Sequence, residues 1–187
     1  MIKLRLMNIN VEIFYLINNG LSHPHLDFIM PHLSDLGGLT FYAIFLAILL
    51  ILSRKDVFGL GKYWGLVKLL ALSLILTVVV TAFAKILFSQ PRPFLVLEHV
   101  NVLTSSVDPN SFPSGHTATT LSTMTVLFLS AKRYFTRYNL IRAFCVIYSI
   151  MIPFSRIYIG MHFPFDVLVG GVIGMVCGVV VCRYSKV

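Results

Sequence analysis

Apolar residues gather into five runs along the chain, each ending where polar or basic residues begin. The runs cover about Leu36 to Ser53, Trp64 to Phe88, Gly115 to the residues before Lys132 and Arg133, Leu140 to Ser155, and Pro164 to Cys182. A hydrocarbon core about 30 Å thick takes roughly 17–25 mostly apolar residues to cross as a helix. Runs of this order predict transmembrane helices. The first thirty-odd residues follow another pattern. Ile9, Val11, Ile13, Phe14, Leu16 and Ile17 mix with Asn8, Asn10 and Glu12. Leu26, Phe28, Ile29, Met30 and Leu33 alternate with His25, Asp27, His32 and Asp35. Both stretches predict amphipathic helices lying at the membrane surface or on the bundle. A sixth span over residues 8–30 is the alternative. No long apolar segment with a small-residue cleavage site follows Arg5, which argues against a cleaved signal peptide. The expected fold is therefore all-α: a polytopic transmembrane helix bundle of about five to six spans with N-terminal amphipathic helices. It is read as one domain over residues 1–187, with 1–35 the amphipathic segment and 36–187 the helical core.

Composition sharpens this picture. Hydrophobic residues make up 57% of the chain and charged residues 12%. So little charge cannot coat a water-soluble globule, and so much apolar character excludes disorder. The net charge of +8 would suggest nucleic acid in a soluble protein. In a five-span layout it divides instead by side. Arg54, Lys55, Lys62, Lys68, Lys132, Arg133, Arg137, Arg142, Arg183 and Lys186 fall on one side; Lys3, Arg5, Lys85, Arg92 and Arg156 fall on the other. The positive-inside rule places the first side in the cytoplasm of a multi-pass cell-membrane protein. The second side, with the long Ser89–Ser114 loop, then faces outward. Cys145, Cys177 and Cys182 lie in apolar surroundings and read as core residues, without the spacing of a zinc site.

Charge at a membrane helix end is costly and tends to be functional. On the outward side three clusters carry the chemistry: Lys85 with Arg92-Pro93; Pro113-Ser114-Gly115-His116; and Ser155-Arg156 followed by His162 and Asp166. Lys85, Arg92 and Arg156 offer positive charge and many donors, and the arginine fork suits phosphate. Ser114 and Gly115 open a helix, whose free N–H groups attract anions. Pro164 suits a first helical turn, which puts Asp166 in that turn and His162 just before it. Asp166 can then fix one imidazole nitrogen and leave the other as a lone-pair nucleophile, the orienting logic of an Asp–His pair in serine proteases. His116 is placed to protonate a leaving oxygen. Taken singly, each feature has a plainer reading: a snorkelling lysine, a loop arginine, a serine cap, a structural His–Asp pair. Gly170, Gly174 and Gly178 read as helix packing through small residues. His23, His25, His32 and His99 read as interfacial or loop residues.

The joint pattern Lys-x6-Arg-Pro, Pro-Ser-Gly-His, Ser-Arg-x5-His-x3-Asp resembles the three-part signature of the type 2 phosphatidic acid phosphatase superfamily, which includes membrane lipid phosphatases and soluble vanadium haloperoxidases. Every signature position is matched, over residues 85–166. The resemblance implies a phosphatase that works without metal or other cofactor, through a phosphohistidine. It implies His162 as nucleophile, Asp166 as its orienter and His116 as the acid for the leaving group. Lys85, Arg92, Ser114, Gly115 and Arg156 would hold the phosphate. The implied partners are a lipid phosphate substrate and membrane lipids, with no nucleic acid. A polyprenyl, undecaprenyl-type diphosphate on the outer face is the first choice by family analogy. Phosphatidylglycerol phosphate, phosphatidic acid and a lipid A phosphate remain open, as does a non-enzymatic protein that binds or transports phosphate lipids. The five spans disfavour a haloperoxidase.

Overall fold

The computed structural model describes residues 2–105 and 108–185, with side chains from residue 8 onward. Eight α-helices follow in order: α1 Ile2–Asn18, α2 Pro24–Asp35, α3 Leu39–Arg54, α4 Trp64–Phe88, the short α5 Pro93–Val96, α6 Gly115–Tyr134, α7 Tyr138–Tyr158 and α8 Pro164–Tyr184. A 3-10 segment, Val57–Tyr63, leads into α4. No strand occurs among the described residues, only an isolated bridge between Pro91 and Asn110.

Helix α6 is the central post and packs against α8, α7 and α4. Its sequence explains the placement. Thr117, Thr119, Thr120, Ser122, Thr123 and Ser130 are all buried, so the helix faces protein rather than lipid over most of its surface. Some of these hydroxyls bond within the helix, as Thr123 does to the Thr119 carbonyl at 2.8 Å, and others bond neighbouring elements, as Ser122 does to the Ser73 carbonyl of α4 at 3.3 Å. Glycines on α8 let that helix approach closely. A Cβ on Gly170 would stand 2.5 Å from the Ser114 carbonyl oxygen, one on Gly178 2.8 Å from that of Ser122, and one on Gly174 would collide with that of Ala118. The small-residue stripe therefore serves packing, as its spacing suggests. Cys145, Cys177 and Cys182 are buried and free, as core residues.

Among the described residues three helical stretches are long and apolar enough to cross a membrane: α4 with its 3-10 lead-in, α7 and α8. Helices α2 and α3, bent by 51° at their junction, make a fourth if they act as one broken span. The chain is a multi-pass membrane protein. Of the five apolar runs, α6 is the most polar, and its buried hydroxyls face neighbouring helices. Helix α3, at 16 residues, is long enough only together with α2.

The N-terminal segment lies on the bundle. Residues 8–30 do not form one helix, because a turn at residues 19–23 separates α1 from α2. Phe14 is fully buried against Ile157, Val167 and Phe163. Asn18 is also fully buried; its amide donates to the Tyr158 carbonyl at 2.7 Å and the Asn101 carbonyl at 2.8 Å. One asparagine thus ties α1 to the end of α7 and to the long loop before α6.

Candidate active site

The C-terminal ends of α4 and α7 meet the N-terminal ends of α6 and α8, which gathers all three sequence clusters at one end of the bundle. Most of the remaining basic residues, from Arg54 to Lys68 and from Lys132 to Arg142, lie at the other end with Arg183.

His162 reaches its place through the turn between α7 and α8. Helix α7 closes with Met161 N–H on the Arg156 carbonyl (3.1 Å) and Gly160 N–H on the Ile157 carbonyl (3.0 Å), a Schellman arrangement. Gly160 has φ of +80°, the left-handed conformation this ending favours, and a Cβ there would crowd the Asn101 carbonyl at 2.8 Å. Helix α8 then begins with Pro164 in its first turn. The Asp166 carboxylate accepts from the Phe163 N–H at 2.9 Å, so it caps the helix as well as facing the imidazole. His162 and Asp166 are 2% and 1% exposed.

Between them sits a residue outside the signature. Ser111 Oγ lies 3.2 Å from His162 Nδ1 and donates a short hydrogen bond to Asp166 Oδ2. The direct Nδ1–Oδ2 separation is 3.6 Å, longer than a hydrogen bond. The expected direct His–Asp contact is thus relayed by a fully buried serine. A hydroxyl that donates to the carboxylate offers its lone pair to an Nδ1–H, which selects the tautomer with a bare Nε2. Ser111 is held by its own N–H, which donates to the Gln90 carbonyl at 2.7 Å. A serine three residues before Ser114 carries no spacing signal of its own, and only the fold brings it under His162.

Arg92 reaches Nε2 itself, and the charges of Lys85 and Arg156 bear on the same imidazole. Arg92, 4% exposed, places NH1 3.4 Å from His162 Nε2 and donates from NH1 to the Met161 carbonyl at 2.9 Å. Lys85 Nζ contacts Asp108 Oδ2 and the Asn110 carbonyl, each at 2.7 Å. Arg156, 5% exposed, donates from NH1 to Ser34 Oγ at 2.5 Å, while its buried Nε has no partner among the described residues. Burial pushes the His162 imidazole well below the usual 6.5, and the charges of Arg156, Arg92 and Lys85 push it further the same way. At neutral pH His162 is therefore the free base. Burial also lowers Arg92, against the opposing pull of Asp108 and Asp166.

Ser114 is the residue just before α6, and its N–H donates to the Asp166 carbonyl at 3.1 Å, which joins the starts of α6 and α8. A Cβ on Gly115 would meet nothing within 4 Å, so the first turn of α6 faces open space. His116 is half-buried next to it, in the field of Arg156, His162, Arg92 and Lys85. The α2–α3 corner forms the facing wall: a Cβ on Gly38 would stand 3.4 Å from His116 Nε2, and Thr119 donates to the Gly37 carbonyl at 3.0 Å. Ser34, Gly38, Asp108 and Ser111 are the site residues that sequence reasoning missed. Among the described residues no group of three or more His, Cys, Asp or Glu side chains could hold a metal ion.

A helical bundle that concentrates Lys85, Arg92, Arg156, two histidines and a carboxylate at one end is matched by the family model of the PAP2 superfamily over residues 66–187, and the chain belongs to that superfamily. Among its relatives, Bacillus subtilis undecaprenyl-diphosphatase BcrC is 33% identical over 94% of this chain and 84% of its own length. An undecaprenyl-diphosphatase of Sulfolobus acidocaldarius is 28% identical over 88% of this chain and 73% of its own. The crystal structure of Aquifex aeolicus LpxE superposes with a TM-score of 0.73 at 36% identity, over 94% of this chain and 96% of that one. A transmembrane PAP2-type phosphatidylglycerolphosphate phosphatase from Bacillus subtilis gives 0.80 at 19% identity, over 97% and 87%, which shows the shared fold.

Proposed function

We propose that this phosphatase hydrolyses a polyprenyl, undecaprenyl-type diphosphate on the extracytoplasmic face of the cell membrane, with residues 1–187 acting as one catalytic unit. The observation that carries the mechanism is the Asp166–Ser111–His162 chain, which ends on a bare Nε2 beside Arg92. His162 Nε2 attacks the terminal phosphorus; the P–O bond to the lipid-borne phosphate breaks, and His116, which takes up a proton once the anionic diphosphate offsets the surrounding cations, gives it to that oxygen. Water, deprotonated by His116, then opens the phosphohistidine and releases inorganic phosphate. Lys85, Arg92, Arg156 and the N–H groups at Ser114–Gly115 balance charge on the equatorial oxygens, the task metal ions perform in many phosphoryl-transfer enzymes. Arg156 Nε, which has no partner among the described residues, and the open space beside Gly115 support this placement of the phosphate. The names of the two undecaprenyl-diphosphatase relatives support the choice of lipid.

The test is phosphate release by the purified protein in detergent with EDTA, over polyprenyl diphosphate, phosphatidylglycerol phosphate, phosphatidic acid and lipid A. Polyprenyl diphosphate is expected to turn over fastest, and His162→Ala to lose nearly all release. Sustained turnover by that variant would overturn the phosphohistidine; binding without release would turn the reading towards a phosphate-lipid carrier. Cysteine labelling in the Phe94–Phe112 loop, expected from outside the cell, tests the orientation.

A further inference from the structure

Two of the three cations at the site are already engaged by one carboxylate. Asp108 Oδ2 stands 2.7 Å from Lys85 Nζ and 3.9 Å from Arg92 NH2. The Asp108 carbonyl accepts from Arg92 Nε at 2.6 Å, and its Oδ1 accepts from the Asn110 N–H at 2.9 Å. The Lys85 and Arg92 side chains are 22% and 5% exposed, whereas that of Asp108 is 47% exposed. The cations are thus fixed in the wall of the site, while the anion that balances them sits near its mouth on the loop before α6. Burying cations without a counter-charge is costly. Asp108 supplies that charge to Lys85 and Arg92.

Resting on the phosphatase reading above, we infer that the Asp108 carboxylate is an internal competitor for the phosphate group: it holds Lys85 and Arg92 between turnovers, yields them when phosphate enters, and takes them back when inorganic phosphate leaves. A phosphate dianion brings twice the charge and three acceptor oxygens, so it outcompetes one carboxylate oxygen for the same donors. The returning carboxylate in turn opposes retention of the product. Partial burial alone would raise the Asp108 carboxyl, but hydrogen bonds from Lys85 and the Asn110 N–H outweigh it, so the group stays ionised and able to compete. Asp108 acts on affinity and product release rather than on the bond-breaking step.

Asp108→Asn keeps the shape and the acceptor for the Asn110 N–H but removes the charge. The measurements are the inhibition constant of inorganic phosphate, KM for polyprenyl diphosphate, and calorimetric titration of the purified protein with inorganic phosphate. All three constants are expected to fall about tenfold, the scale of one unit of pKa in charge interaction. Glu98→Gln removes the same charge from the same loop without touching the cations, and is expected to leave them unchanged. In thermal unfolding, Asp108→Asn is expected to be less stable without phosphate and to gain more from its addition than the unmodified protein. Unchanged or weaker phosphate binding in Asp108→Asn, an equal effect from Glu98→Gln, or no phosphate binding by either protein would overturn the proposal. Failure of every lipid to release phosphate would overturn the phosphatase reading instead, and the titration would still decide the role of Asp108.

Discussion

Ser111 Oγ stands 3.2 Å from His162 Nδ1 and is hydrogen-bonded on its other side to Asp166, so the His162 imidazole is oriented through a hydroxyl. This turns a two-residue pair into a three-residue chain and makes the second residue separately testable. Ser111→Ala is expected to lower kcat about 10- to 100-fold with little change in KM, the range seen when a group that orients a reacting residue is removed. Ser111→Thr, which keeps the hydroxyl, is expected to recover part of the loss. A rise in KM at constant kcat in phosphate-release assays would instead assign Ser111 to substrate binding.

The protonation state of His162 gives a second expectation. Its imidazole is depressed well below 6.5 by burial and by Arg156, Arg92 and Lys85, so it remains neutral through mildly acidic pH. In the unfolded chain the same imidazole takes up a proton near pH 6.5. Stability from this group is therefore undiminished above that value and lost as pH falls below it. Histidine nitrogen-15 NMR in micelles, assigned by His162→Gln, is expected to show an Nδ1–H tautomer with bare Nε2 at pH 6. In Ser111→Ala the tautomer preference is expected to weaken. A His162 titration at or above 6.5 would contradict this.

Gly170 and Gly174 separate site damage from packing damage. A methyl group on Gly174 meets the Ala118 carbonyl in the middle of the α6–α8 contact, whereas one on Gly170 meets the carbonyl of Ser114, the residue that starts α6. Both alanine variants are expected to lose about 1–3 kcal/mol of stability through overpacking. Gly170→Ala should in addition raise KM, because it displaces the first turn of α6. Thermal unfolding in detergent together with steady-state kinetics checks both.

Ser34 belongs to α2, outside the matched residues 66–187, yet its Oγ accepts from Arg156 NH1 at 2.5 Å. Ser34→Ala removes the hydrogen bond to Arg156 NH1 from a guanidinium whose Nε already has no partner among the described residues. A rise in KM of about tenfold or more is expected, from the roughly 1.5–3 kcal/mol of one hydrogen bond to a charged group. Unchanged kinetics would make the α2–α3 corner a structural prop.

Much of the molecule was legible in the chain itself. Pro164 in a first helical turn fixed the start of α8, and with it the separation of His162 from Asp166. The apolar run from Trp64 to Phe88 coincides with α4 end for end. Such features are local: a helix start, a span length and a residue spacing are written within a few turns of sequence.

What the chain did not reveal depended on which segments meet. The run opening at Gly115 predicts a span, but only the packing of α6 among α4, α7 and α8 shows why its threonine-rich turns are tolerated there. Asp108 and Ser111 look like ordinary loop residues until the segment before α6 pairs with the segment after α4, through Pro91 and Asn110. That pairing swings one onto Lys85 and Arg92 and the other between His162 and Asp166. Sequence alone determined the membrane bundle and named the candidate site residues, because apolar length and motif spacing are one-dimensional quantities. The tertiary structure decided which hydroxyl lies between His162 and Asp166 and which carboxylate pairs with Lys85 and Arg92, because contacts between distant segments are set by packing.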